Sequence, residues 1–112
     1  SYFLKLKREL AHQYHQKIKN SKYFTFVEES SNTSSNYWLN AIRLKSPNTD
    51  LRNNILDYVN DLGYQCRPLW NLLSSLPMYK NCPKSKLKTS KKLEASIINL
   101  PSSPQLGKNF LK

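Results

Sequence analysis

A chain of 112 residues is one domain, too short for two ordinary ones, and 38% hydrophobic with 12% aromatic residues is enough for a modest core rather than wholesale disorder. No apolar run approaches the roughly 18 residues of a membrane-spanning helix, and the N-terminus lacks the apolar stretch and cleavage site of a signal peptide. The net charge of +11 points to an anionic partner such as nucleic acid, membrane phosphates or phosphorylated metabolites, although a lysine run is more often a solvated helix face.

Residues 3–19 predict a helix, because Phe3, Leu6, Leu10, Tyr14 and Ile18 recur every three or four residues on one face. The pattern starts directly at Ser1 without a Met, as expected of a trimmed chain or one cut from a longer protein. His12 and His15 stand at i and i+3, but no acid or cysteine is near in sequence to complete a metal shell, so both read as helix-surface residues. "YFTFVE", 23–28, is short, aromatic and β-branched and predicts a strand. After the polar loop 29–36, "YWLNAIRL" predicts a second strand. Tyr37, Leu39, Ala41 and Arg43 would lie on one face and Trp38, Asn40, Ile42 and Leu44 on the other.

"SPNTD", 46–50, joins a turn to helix-cap chemistry, with Thr49 or Asp50 as the cap. The helix should run to about Leu62 with Leu51, Ile55, Val59 and Leu62 as its buried stripe, and Gly63 as the left-handed stop. "YQCRPLW" starts extended because Pro68 disfavours helical geometry at Arg67. "NLLSSLP" fits a helical turn. A last helix is expected at roughly 85–96 and a short strand at 97–100, before Pro101 and Pro104 break the structure and 107–112 trail as a loose tail. The sum is an α+β fold: a small, mostly antiparallel sheet packed against three helices.

Catalytic equipment is sparse. The two glycines, Gly63 and Gly107, form no phosphate loop. Cys66 and Cys82 are too far apart for a CxxC site and read as free thiols in a reducing, cytoplasmic setting. Asp57 and Asp61 stand at i and i+4, solvent-facing, and no acid/base pair emerges. The unusual stretch is "GYQCRPLWNLLSSLPMY", 63–79, which gathers Arg67, Trp70 and Tyr79 on a proline-stiffened segment. Arg67 is suited to a bidentate contact with phosphate or carboxylate, and the aromatic rings to stacking on a planar ring or lining a sugar. The packing alternative has Trp70 and Tyr79 plugging the core and Arg67 paired with a helix acid.

Taken in order, "SNYWLNAIRL", "R…ILDYVNDLGYQCRPLW", "LPMYKNCP" and "KKLEASIINLPSSP" resemble the C-terminal segment of the DegT-like sugar-nucleotide aminotransferases, over about residues 3–106. The helix "LKRELAHQYHQKI" fits as well. The resemblance implies the small domain, residues 1–106, of a fold type I enzyme dependent on pyridoxal 5'-phosphate (PLP). Such an enzyme aminates a nucleotide-linked keto sugar for surface-polysaccharide synthesis, usually with glutamate as donor, as a homodimer in the cytoplasm. The Schiff-base lysine, the acid facing the pyridine nitrogen and most phosphate ligands belong to the family's large domain. No catalytic, cofactor-binding or metal residue is therefore assigned here, and no cofactor is expected in this chain alone. Arg67, Trp70 and Tyr79 are the implied substrate-side residues. Relatives often carry Pro-Leu-His where this chain has Leu72-Leu73-Ser74, so a histidine contact is missing. The competing readings are a stand-alone basic nucleic-acid-binding module and an inactive truncated remnant. Against the module, the lysines cluster near one end, the aromatics occupy core-like positions, and no RNA- or DNA-binding motif is present.

Overall fold

In the computed structural model, which describes residues 1–108, helix α1 spans Tyr2–Ile18 and opens where the Ser1 hydroxyl accepts a hydrogen bond from the Leu4 amide at 3.3 Å. Leu6, Leu10 and Ala11 are buried, and Tyr14 and Ile18 pack half-buried against the core. Phe3, expected on the same face, stays exposed in the first turn. Strand β1, Phe24–Phe26, pairs antiparallel with β2, Asn40–Leu44, with Phe24 opposite Leu44 and Phe26 opposite Ile42. Both strands are shorter than the sequence pattern suggests. Alternation holds in β2: Asn40, Ile42 and Leu44 are buried and Arg43 is exposed.

Helix α2 spans Thr49–Asp61. Its cap is Asn48, whose side-chain oxygen accepts from the Leu51 amide at 2.9 Å, rather than Thr49 or Asp50, which are already helical. Its buried face is also rotated from the expected stripe. Arg52 and Leu56 are buried, Ile55 and Val59 half-buried, and Leu51 and Leu62 exposed. A polar residue occupies the inner face because its guanidinium is satisfied there: Arg52 donates to the Glu94 carbonyl and to the Asn53 side chain. Gly63 ends the turn at φ +91°, with the Tyr64 amide donating to the Val59 carbonyl at 3.0 Å.

The short strand β3, Arg67–Pro68, follows, then two 3-10 turns, Leu73–Ser75 and Pro77–Tyr79. Helix α3 spans only Lys88–Glu94, because Leu87 sits in the left-handed region at φ +51° and the helix cannot extend back through it. Strand β4, Ile97–Leu100, forms where the short apolar run predicts it. Although last in sequence, β4 lies inside the antiparallel sheet, whose order is β1-β2-β4-β3, with Ile98 opposite both Ile42 and Pro68. Pro68, which has no N–H to give, falls on the edge strand, where that lack is tolerated.

A fourth helix, α4, Pro104–Lys108, packs on α1. The loose tail expected from residue 107 therefore begins inside a helix, with Gly107 buried; residues 109–112 lie outside the described residues. The core consists of Ala11, Phe26, Ile42, Leu56, Cys66 and Ile98, so α1 and α2 cover the same face of the sheet. The architecture is α+β as read from the sequence, with four helices among the described residues in place of three.

Candidate functional site

Arg67 is held in place by the element before it. Its Nη1 donates to Asn60 Oδ1 and to the Cys66 carbonyl, both at 2.9 Å. Asn60, on α2, is itself fixed by donating from Nδ2 to the Leu56 carbonyl at 2.8 Å and to the Cys66 carbonyl at 3.0 Å. The partner of the guanidinium is thus a neutral amide, not an acid of the helix, and its charge is left uncompensated. Among the described residues its Nε and Nη2 have no protein partner, so three N–H donors stay free for a ligand.

Trp70, two residues beyond β3, is 63% exposed and does not plug the core. It stacks on Trp38, with ring centroids 6.1 Å apart and planes at 27°. Trp38 is itself 67% exposed, and its main chain is pinned: its carbonyl accepts from Lys7 Nζ at 2.9 Å and its amide donates to Asn36 Oδ1 at 3.0 Å. Trp38, Arg67, Pro68, Trp70, Gln65 and Asn99 line an open groove of about 490 Å³. It offers a planar aromatic wall, a cation with free donors, and three amide side chains, Gln65, Asn71 and Asn99. Arrangements of this kind take a planar or ring-shaped ligand with an anionic group.

Two of the three residues singled out in the sequence, Arg67 and Trp70, therefore share one groove. Tyr79 does not join them. It is 43% exposed and lines a separate trough of about 460 Å³ with Leu72, Leu73, Pro83 and Leu87. Trp38 was missed. Strand alternation assigned it to the face of Asn40 and Ile42, but β2 starts only at Asn40, and Tyr37, at φ +45°, redirects the chain before it.

The long loop 27–39, which carries Trp38, is fastened to α1 by a fork. Arg8 donates through Nη1 to Glu29 Oε2 at 3.0 Å and through Nη2 to Glu29 Oε1 at 2.7 Å, and again from Nη1 to the Ser35 carbonyl at 2.7 Å. The Ser35 amide donates to the same carboxylate, and the Tyr37 ring lies under the guanidinium at 5.7 Å. The hydrogen bonds from Arg8, then that from the Ser35 amide, hold the Glu29 carboxyl down to about 2. A carboxyl depressed on folding adds stability above its unfolded value, near 4.5, and loses it as pH falls towards 2. Loop 27–39 is accordingly expected to loosen in that acid window. Amide hydrogen exchange at Ser35 and Tyr37 should rise as pH drops from about 5 to 2, after correction for intrinsic rates. Glu29→Gln should show the loosened state at pH 7 and lose the acid dependence.

Tertiary structure also gives His15 a partner that the local sequence lacks. Glu28 Oε1 lies 2.6 Å from its Nε2, and its ring stacks on Phe26 at 5.8 Å. Among the described residues no three His, Cys, Asp or Glu side chains come close enough to hold a metal ion. Both thiols are free; burial pushes Cys66 up, and Cys82 is exposed. Every described lysine is exposed except the half-buried Lys7, whose ammonium is committed to the carbonyls of Trp38 and Ser102, at 2.9 and 2.8 Å. No helix among the described residues is long and apolar enough to cross a membrane.

The family model described as the DegT/DnrJ/EryC1/StrS aminotransferase family matches residues 1–112. Among solved structures, Helicobacter pylori PseC, an aminotransferase involved in the biosynthesis of pseudoaminic acid, is similar at a TM-score of 0.81 and 18% identity over 95% of this chain. The aminotransferase TlmJ from Streptoalloteichus hindustanus is similar at 0.79 and 16% identity over 91%. The E. coli GDP-4-keto-6-deoxy-D-mannose-3-dehydratase, solved with bound hydrated PLP, is similar at 0.73 and 17% identity over 99%. This chain spans only 30%, 27% and 31% of those three proteins. No curated protein matches it.

Proposed function

The chain belongs to the DegT/DnrJ/EryC1/StrS aminotransferase family, and from that premise we propose that it is the substrate-side small domain of a PLP-dependent enzyme acting on a nucleotide-linked keto sugar. In this reading its role is to bind and orient, not to carry the chemistry. The residues present do not fit PLP as a resident group. The one lysine drawn partly out of solvent is spent on two carbonyls, and no described lysine stands in a closed cavity opposite an acid. No step is therefore assigned through the cofactor within this chain. The family supplies the reaction class, and the groove supplies what this segment does with the substrate.

The observation that carries the reading is the uncompensated Arg67 guanidinium beside the stacked Trp38–Trp70 wall. A nucleoside diphosphate sugar is anionic in the middle and ring-shaped at both ends, and this groove offers a matching surface. Trp70 and Trp38 would stack on a ring face, Arg67 would meet the diphosphate, and Gln65 and Asn99 would accept or donate at hydroxyls. The amination itself, the glutamate donor and a dimeric assembly completing the pocket belong to the same proposal. One of the structural neighbours is a dehydratase and two are aminotransferases. The shared fold thus does not by itself fix the reaction.

Intrinsic fluorescence gives a direct test, since Trp38 and Trp70 are the chain's two tryptophans and both line the groove. Titration with a UDP-sugar should quench their emission saturably. Arg67→Ala should weaken binding by about tenfold or more, the usual loss when a charged hydrogen bond to phosphate is removed, with thermal stability nearly unchanged. Unquenched emission at millimolar ligand, or equal affinity in Arg67→Ala, would sink the proposal.

A further inference from the structure

We propose that Asn60 is the positioning residue of the groove's anion subsite: its neutral carboxamide engages one end of the Arg67 guanidinium and leaves the Nε–Nη2 edge, with the full positive charge, for two oxygens of one phosphoryl group. The inference rests on the nucleotide-sugar reading above and says how the diphosphate of that ligand is met. Asn60 sits half-buried near the end of α2 and does not itself line the groove, so it acts through Arg67.

Hydrogen bonding leaves the Asn60 side chain one orientation. Nδ2 donates to the Leu56 carbonyl at 2.8 Å and to the Cys66 carbonyl at 3.0 Å. Both partners are acceptors, so an oxygen is unsuited to that place, and Oδ1 is turned to Arg67 Nη1 at 2.9 Å. Nη1 spends its second hydrogen on the Cys66 carbonyl, also at 2.9 Å. With Nη1 used up, Nε–H and one Nη2–H remain parallel along a single edge, the fork that fits two oxygens of a phosphate. Arg67 is exposed, and its long side chain would otherwise sample many rotamers. The two bonds to Nη1 hold the edge in one place before a ligand arrives, which lowers the ordering cost of binding.

Charge explains why the partner is an amide. Asp57 and Asp61 stand on the same helix, yet neither is paired with Arg67: both ion pairs among the described residues, Arg8–Glu29 and His15–Glu28, lie elsewhere. A carboxylate at position 60 would set an anion against the guanidinium and against two carbonyls, and a phosphate would bind under its repulsion. The carboxamide supplies the same hydrogen bond without the charge. In an enzyme of the structural neighbours' length, of which this chain spans less than a third, other segments can reach the groove. The Asn60 bracket does not depend on them, since it joins α2 to β3 within this chain. What they could change is the occupant of the free edge, a protein carboxylate in place of a phosphate.

The test reads the guanidinium and the ligand separately, on the full 112-residue chain. Nitrogen-15 NMR of the ligand-free protein should show Arg67 with hindered rotation of its Nη groups and an ordered Nε–H, both lost in Asn60→Ala. UDP-glucose is then titrated by tryptophan quenching. Asn60→Ala should weaken binding about fivefold and Asn60→Asp about tenfold or more, the added loss being the neutralised charge. In the Arg67→Ala background either Asn60 substitution should change affinity less than about twofold, because a residue acting through Arg67 has nothing left to act on. Circular dichroism checks that each variant is folded, and Asn60→Ala carries the cycle by itself if Asn60→Asp has unfolded. Losses that add in the double variant mark a merely structural role and overturn the proposal, as does free rotation of the Nη groups in the wild type. Arg67-dependent binding that neither Asn60 variant alters overturns this inference and leaves the nucleotide-sugar reading standing. An ordered Arg67 without UDP-glucose binding, or with binding indifferent to Arg67→Ala, overturns the reading and the inference together and points to a protein carboxylate as the partner of the free edge.

Discussion

Replacing Ile98 by alanine is expected to cost about 2–5 kcal/mol, a large share of the roughly 5–15 kcal/mol that holds a domain of this size together. Ile98 is 1% exposed, and its strand is paired on both sides, with β2 where Ile98 lies opposite Ile42 and with β3 where it lies opposite Pro68. Those ladders stop the backbone from closing on the space left by the lost carbons. Phe26, Ile42 and Leu56, packed around it from β1, β2 and α2, lose contacts outright. Urea unfolding should show a lower midpoint at an unchanged slope, as a loss of stability without a change in the surface exposed. Ile98→Val is the control at about 0.5–1.5 kcal/mol. An alanine variant no worse than the valine one would mean that the sheet can relax around β4, and that the core described here is wrong.

Gly107→Ala is expected to undock α4 from α1, although it adds a single methyl to a short helix near the end of the chain. A Cβ at this position would run into the carbonyl oxygen of Leu6 and lie 3.0 Å from its carbonyl carbon. These are backbone atoms in the middle of α1, so no side-chain rotation relieves the clash. The helix must move away, uncovering Leu6, which is now fully buried. Overpacking of this kind costs about 1–3 kcal/mol. The specific signature is local: hydrogen exchange should rise at the Leu106 amide, which donates to Ser103, before the sheet amides change. Limited proteolysis should cut near residues 101–104 in the variant first. Wild-type protection in Gly107→Ala would show that α4 does not depend on this close approach.

How much of this was legible in the sequence differs from element to element. The period of α1, the Gly63 stop and the short apolar run at 97–100 came through because each depends on neighbours within a few residues. The inner face of α2 did not. Leu51 and Leu62 continue the apolar spacing, but which flank of a helix meets the sheet depends on its tilt and on whether a residue such as Arg52 finds carbonyls to satisfy it. The helix at Pro104–Lys108 was not expected, for a similar reason. Two prolines predict a break, and they do end β4, but Pro104 is also a good first residue for a helix, and only α1 supplies the surface that makes five residues of helix worth forming.

The candidate site divides along the same line. Pro68 next to Arg67 made an extended segment predictable, and the run of residues 63–79 marked the region as unlike its surroundings. Whether Arg67 would find an acid, whether Trp70 would be buried, and whether Tyr79 would share their groove are questions of distance across elements. The answers were Asn60, a stack on Trp38, and a separate trough. The sequence by itself determined the α+β class, the principal helices and strands with their order, the family resemblance and the concentration of positive charge, because these follow from local periodicity, turn chemistry and composition. Only the tertiary structure decided that the last strand runs inside the sheet, that loop 27–39 is strapped to α1 by Arg8 and Glu29, and that Trp38 completes the groove. Those outcomes depend on contacts between residues tens of positions apart, and the free energy that selects them comes from packing and hydrogen-bond satisfaction in the assembled fold, not from any short stretch of chain.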